Sequence, residues 1–280
     1  MYFPLNLFFQ VSLYASPDYS QYWYLFPIGI LIATLYNSTG ISGANFWIPV
    51  YILWLAVDPL IGFWLSLVSM LFGSIGGLIG HTRHKTINYP IAKKYALISI
   101  PFAVAGAISL QYVNKSYLFL LFGIFALSYG FLMLFKSFVQ PSKAISNHDS
   151  SNIWRYLSGA CGGLLTGLIS VGLGPLLLPH MIQHKNIRHH SEAVGTTVLI
   201  VFLTSLTAVI FRLNSNFISV LTTQFDTILS ILLYVIPGVI IGGQLGPVVA
   251  KKLKLNWMKI YVAFLLITIG FVMLFRWLSY

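Results

Sequence analysis

The sequence predicts an all-α polytopic membrane protein made of two inverted-topology repeats, each a broken, re-entrant helix hairpin followed by three transmembrane helices. Composition gives the first indication. The 280 residues are 58% apolar and only 8% charged, with a mean hydropathy of +0.84, whereas a soluble domain carries about 25% charge. The second is the row of apolar runs, two of which are interrupted midway by glycine and hydroxyl residues. The third is a self-match of the chain at a displacement of about half its length.

Apolar runs fall at 24–57, 60–80, 95–112, 117–135, 156–183, 193–211, 226–250 and 257–275. Six approach the roughly 20 residues that a helix needs to cross the hydrocarbon. The run 24–57 is broken by Ser38-Thr39-Gly40-Ile41-Ser42-Gly43-Ala44-Asn45, and 156–183 by Ser170-Val171-Gly172-Leu173-Gly174-Pro175. The second half of each run, Asn45 to Val57 and Pro175 to Gln183, makes about 20 Å and 14 Å of helix against a core of about 30 Å. These second halves cannot span, so each pair is expected to meet inside the bilayer.

A hairpin returns the chain to the side it came from, which fixes the sidedness of every later loop. The loops 81–94, 136–155, 184–192 and 251–259 hold thirteen of the sixteen Lys and Arg, and the alternate loops and ends hold only Lys115, Arg212 and Arg276. By the positive-inside rule the first set is cytoplasmic, and both termini are extracytoplasmic. The net charge of +11 is thereby explained by insertion into a plasma membrane and calls for no nucleic acid. Residues 1–21 read as an extracytoplasmic lead-in, 22–136 as repeat 1, 137–153 as a cytoplasmic linker and 154–280 as repeat 2.

A slide of 130 pairs Gly29 with Gly159, Leu35 with Leu165, Ser42 with Gly172 and Pro49 with Pro179, and a slide of 140 pairs Gly106 with Gly246. The difference fits a longer loop around 212–225. An odd number of crossings in each half turns the halves upside down relative to each other, an architecture of secondary transporters with the site at the midplane.

The residues Gly167-Leu168-Ile169-Ser170-Val171-Gly172-Leu173-Gly174-Pro175 through Pro179, followed by Ala193-Val194-Gly195-Thr196-Thr197, resemble the sulfite exporter TauE/SafE family of anion permeases. The first half carries Gly40-Ile41-Ser42-Gly43 through Pro49 and keeps only Gly62 of the later step, and His81-Thr82-Arg83-His84-Lys85-Thr86-Ile87-Asn88 is similar to a loop of that family. The resemblance covers about 24–276. It implies transport of small sulfur oxyanions or organosulfonates across the plasma membrane.

The chemistry expected at the midplane is set by these residues. No Lys or Arg appears deep in an apolar run, so an anion would be held by helix N-termini, whose free N–H groups carry about half a positive charge, and by hydroxyl and amide donors. The candidate substrate residues are Thr39, Ser42, Gly43, Asn45, Thr166, Ser170, Gly172, Gly174, Thr196 and Thr197, with Pro175 suited to a first helical position. His180, beside Pro179, is the candidate for proton coupling. Asp58, Glu192, Asp226 and His81 fall at segment ends and read as solvated caps, and Gly73, Gly76, Gly77 and Gly80 as a helix-packing surface. His184, His189 and His190 read as part of a solvated basic loop; no metal and no cofactor are expected, and Gly-x-x-x-x-Gly-Lys is absent. The partners expected are a small anionic solute and the bilayer, and a homo-oligomer is compatible with both. Two rivals remain: an intramembrane serine protease using Ser42 of Gly40-Ile41-Ser42-Gly43, and a scaffold that keeps the fold without transport.

Overall fold

A computed structural model describes residues 19–139, 152–250 and 255–278. Most of the lead-in, most of the linker and the basic stretch 251–254 lie outside the described residues. Among those described there are eleven α-helices and no strand: α1 (Leu25–Thr39), α2 (Ala44–Pro49), α3 (Pro59–Arg83), α4 (Tyr89–Ser109), α5 (Lys115–Val139), α6 (Asn152–Ile169), α7 (Leu173–Ile182), α8 (His190–Phe211), α9 (Ser215–Thr223), α10 (Phe225–Ala250) and α11 (Leu255–Leu278). Five helices, α3, α4, α5, α8 and α10, are long and apolar enough to cross a membrane. The chain is a multi-pass membrane protein.

The ends of these helices are set by local chemistry. Asp58 caps α3, accepting from Leu60 N at 2.9 Å, and Pro59 opens that helix, where a missing N–H costs nothing. The same carboxylate pairs with Lys115 at 2.7 Å, so Asp58 is the cap the sequence suggests. Asn88 caps α4 through Ile91 N, with Pro90 in its first turn, and Asn214 caps α9 through Phe217 N. Helix α9 occupies the long loop around 212–225.

Helix pairing follows small residues. Lipid is as apolar as leucine, so association between spanning helices rests on close packing rather than on expulsion of water. Helix α4 crosses α6 at Gly106, Gly163 and Gly167, where an added methyl would strike the carbonyls of Leu164, Ser99 and Ala103. Helix α10 meets α1 at Gly238, Gly242 and Gly246, where it would strike the Phe26 and Ile30 carbonyls and Asn37. The glycine stripe of α3 serves the same purpose: Gly76 lies against the Ile240 backbone, Gly80 against Pro247, and Gly73 and Gly77 against the Tyr36 and Asn37 side chains. Helices α1 and α3 thus pack on α10, while α6 and α8 pack on α4, and α5 packs on α11.

Candidate functional site

In each interrupted run one helix ends and another begins a few residues later. Helix α1 ends at Thr39, and Gly40 closes it in the left-handed region (φ 72°) with its N–H returned to the Tyr36 carbonyl at 2.8 Å. Helix α6 ends at Ile169, and Ser170 takes the same conformation (φ 66°), with its N–H on the Thr166 carbonyl at 3.1 Å. Gly172 then turns the chain at φ 131°, which a side chain rarely tolerates. Pro49, which has no N–H to donate, ends α2, and a π-helical turn over Val50–Trp54 follows it. The second halves, Ala44–Trp54 and Leu173–Ile182, are about 16 Å and 15 Å long, half the hydrocarbon thickness.

The two breaks touch. A methyl on Gly174 would lie 2.9 Å from the Gly40 carbonyl oxygen and 3.1 Å from Ser42 N, so only glycine lets the backbones approach this closely. A methyl on Gly40 would meet both Leu178 methyls at 3.2 Å. A crevice of about 10 Å³, room for about one water, lies along the first break between Ser42, Gly43, Met70 and Ser74 on one side and Val198 and Val201 of α8 on the other.

Polar groups gather here, and most are occupied. Thr39 Oγ1 donates to the Leu35 carbonyl at 2.9 Å and accepts from Ile41 N; Ser42 Oγ donates to Met70 Sδ at 3.2 Å. Thr166 Oγ1 accepts from Leu173 N, Ser170 Oγ donates to the Phe63 carbonyl at 2.7 Å, and Thr197 Oγ1 donates to Ala193. Thr196 Oγ1 accepts from Asn88 N at 2.9 Å, tying α8 to the turn before α4. Asn45 differs. It is completely buried in the first turn of α2, and neither Nδ2 nor Oδ1 of its side chain has a partner. A buried amide left in this state costs about 1 to 3 kcal/mol per unsatisfied group. His180 is half-buried in the last turn of α7.

Several expectations change. Gly43 has ordinary helical angles (φ −62°), and its missing Cβ instead makes room for the Tyr36 ring. Pro175 is the third residue of α7 rather than the first. The amides at the breaks are not all free to receive a ligand, since Asn45 N and Phe46 N return to the Ser42 and Gly43 carbonyls and Leu173 N to Thr166. His81 is not a solvated cap: it is 1% exposed, and its Nδ1 shares a hydrogen bond of 2.8 Å with Thr86 Oγ1.

The largest correction is Arg212. Directly after α8, it is 2% exposed and donates to the Gly167 carbonyl from Nε (3.0 Å) and Nη2 (2.7 Å), to the Thr166 carbonyl (3.3 Å) and to Ser170 Oγ (3.0 Å). Its permanent charge sits on the carbonyl end of α6, where the helix dipole is negative, and reaches the second break through Ser170. On the far side it lines a cleft of about 390 Å³ with Lys115, Gln111, Asn114 and Asn214. Its place at the edge of an apolar run is that of a loop cation, yet packing buries it.

Several membrane proteins match the chain over most of its length. The chain is 29% identical over 231 residues to the probable membrane transporter protein YjnA of Bacillus subtilis, covering 79% of this chain and 88% of that one. It is 23% identical over 265 residues to the probable membrane transporter protein YunE of the same organism (87% and 93%), and 25% identical over 211 residues to the probable membrane transporter protein MJ0441 of Methanocaldococcus jannaschii (75% and 77%). No solved structure matches the chain. These relatives indicate a membrane permease and not an enzyme, consistent with Ser42 bonding a thioether rather than an imidazole. The model of the sulfite exporter TauE/SafE family matches residues 25–273, and the chain belongs to that family.

Proposed function

We propose that this permease moves small sulfur-containing anions, such as sulfite or organosulfonates, across the plasma membrane, and that the anion passes where the two broken helices meet. The observation that carries the reading is Asn45: a fully buried amide with no partner, in the first turn after a break that lies against the other break. Such a group is tolerated where a transient ligand or water satisfies it. Ser42, Thr39, Thr166 and Ser170 add hydroxyls around the same junction, and Arg212 adds a fixed positive charge one hydrogen bond from Ser170.

Inverted duplication is supported by an equivalence at the 130-residue slide. Gly40 and Ser170, 130 apart, share the left-handed conformation. The pairing of α1 with α10 and of α6 with α4 exchanges the two halves, as a two-fold axis requires. With the basic loops inside, a potential of 100 mV is worth about 2.3 kcal/mol per charge, which drives a monoanion outward about fifty-fold. No coupled ion is needed; His180 is where a proton would couple.

Radiolabelled sulfite or sulfoacetate flux in proteoliposomes tests this. Saturable flux should follow an imposed potential, and a dependence on a pH gradient that vanishes in His180→Ala would add the proton. Flux that ignores both gradients refutes the transport mechanism, and no flux for any small anion favours the scaffold reading.

A further inference from the structure

The polar cleft that opens between the α3–α4 turn and the segment joining α7 to α8 has no part in the junction of the breaks. At about 660 Å³ it is within the range of small-molecule sites. Lys85, Lys185 and Arg188 line it together with His84 and His189. Its acid, Glu192, is already engaged: Oε1 accepts from Asn88 Nδ2 at 3.1 Å and Oε2 from Arg188 N at 2.8 Å. Asn88 Nδ2 also reaches the Asn186 carbonyl at 3.3 Å, so one carboxylate and one amide fasten the two segments to each other. Asn88 N in turn bonds Thr196 of α8, which anchors the cleft to a spanning helix.

We infer that this cleft is a binding station for a small oxyanion, such as sulfite or sulfate, held by Lys85, Lys185 and Arg188; as a station for the transported solute it rests on the permease reading, but its binding chemistry does not. Membrane orientation alone does not require this convergence. Lys93 and Lys94 serve orientation from the first turns of α4 without lining the cleft. Lys85 adds a separate indication. It stands at φ 53°, in the left-handed turn after α3, where glycine or asparagine would be cheapest. A lysine kept in that conformation holds a cation at the cleft wall at a backbone cost.

This conformation also supplies the test. Lys85→Gly removes the charge and relieves the turn, so a loss of binding cannot be ascribed to misfolding. The full chain in nanodiscs of phosphatidylcholine alone is titrated with radiolabelled sulfite and, separately, sulfate. Saturable binding is expected, weakened about fivefold by Lys85→Gly and again by Arg188→Gln, one partly screened ion contact each, with the melting temperature of Lys85→Gly at or above the parent's. Affinity within twofold of the parent in the double variant overturns the inference. So does a parent that binds neither ion, or one whose anion binding is abolished when phosphatidylglycerol is added, which would make a lipid headgroup the occupant. The two readings separate: charge-dependent binding without flux refutes the permease and leaves the cleft, and flux with charge-independent binding refutes the cleft alone.

Discussion

Replacing Arg212 by methionine removes a guanidinium but keeps most of the aliphatic volume, and the structure sets the size of the effect. Four hydrogen bonds disappear. Ser170 Oγ keeps its bond to Phe63 and the Thr166 carbonyl keeps the Ser170 N–H, but the Gly167 carbonyl loses both of the donors that Arg212 supplies. One orphaned buried acceptor at about 1 to 3 kcal/mol and the bonds lost at Thr166 and Ser170 at about 1 kcal/mol each, less the desolvation that the arginine no longer bears, leave a loss of about 3 kcal/mol, the lower end of what breaking a buried charged network costs. At two to four degrees per kcal/mol this lowers the melting temperature in detergent or nanodiscs by roughly 6 to 12 °C. Arg212→Lys keeps the charge but offers a point donor in place of a planar fork, and should recover about half of the loss. A cycle with Ser170→Ala should show coupling of about 1 kcal/mol for the shared bond. If Arg212→Met melts within a degree of the parent, the guanidinium does not hold the end of α6 and its burial needs another explanation.

Three further outcomes are expected. Asn45→Leu exchanges an unsatisfied amide for an apolar group of similar size, so it should raise the melting temperature or leave it unchanged while lowering anion flux at least tenfold, about 1.4 kcal/mol; intact flux would remove Asn45 from the pathway. Gly174→Val, whose Cβ would press on the Gly40 carbonyl and Ser42 N, should abolish flux while membrane insertion, read by protease protection of tagged termini, stays normal. Gly106→Val puts bulk where even a methyl meets the Leu164 carbonyl and should cost about 1 to 3 kcal/mol by overpacking, read as a lower melting temperature; a neutral result would show that the α4–α6 crossing is too loose for that carbonyl to be a barrier.

The breaks are legible because glycine and hydroxyl clusters inside apolar runs have few other uses: Ser38 to Asn45 and Ser170 to Pro175 enclose the observed turns at Gly40–Gly43 and Ser170–Gly172. The glycine stripe of α3 is legible for a related reason, since spacing of three and four places small residues on one face. Arg212 is not legible. Hydropathy records it as the polar end of a run, and its burial depends on where α6 terminates, a distance no local window contains. His81 escapes in the same way, as a segment end that tertiary packing covers. Helix α9 has a readable cap in Asn214, but its stretch is too short and too polar to stand out from a loop. The basic cleft depends on two turns about 100 residues apart being fastened by Asn88 and Glu192, and nothing in either turn names the other.

The cross-pairing of helices bears on biogenesis. The main partner of α1 is α10, that of α4 is α6, and that of α5 is α11, so every principal helix of the first half waits for one that leaves the ribosome later. The early half must sit in the lipid with its glycine faces uncovered, dependent on insertion machinery or lipid to shield them. A gene cut between the codons for α5 and α6 should therefore give two fragments that are each degraded when made alone and that accumulate when made together.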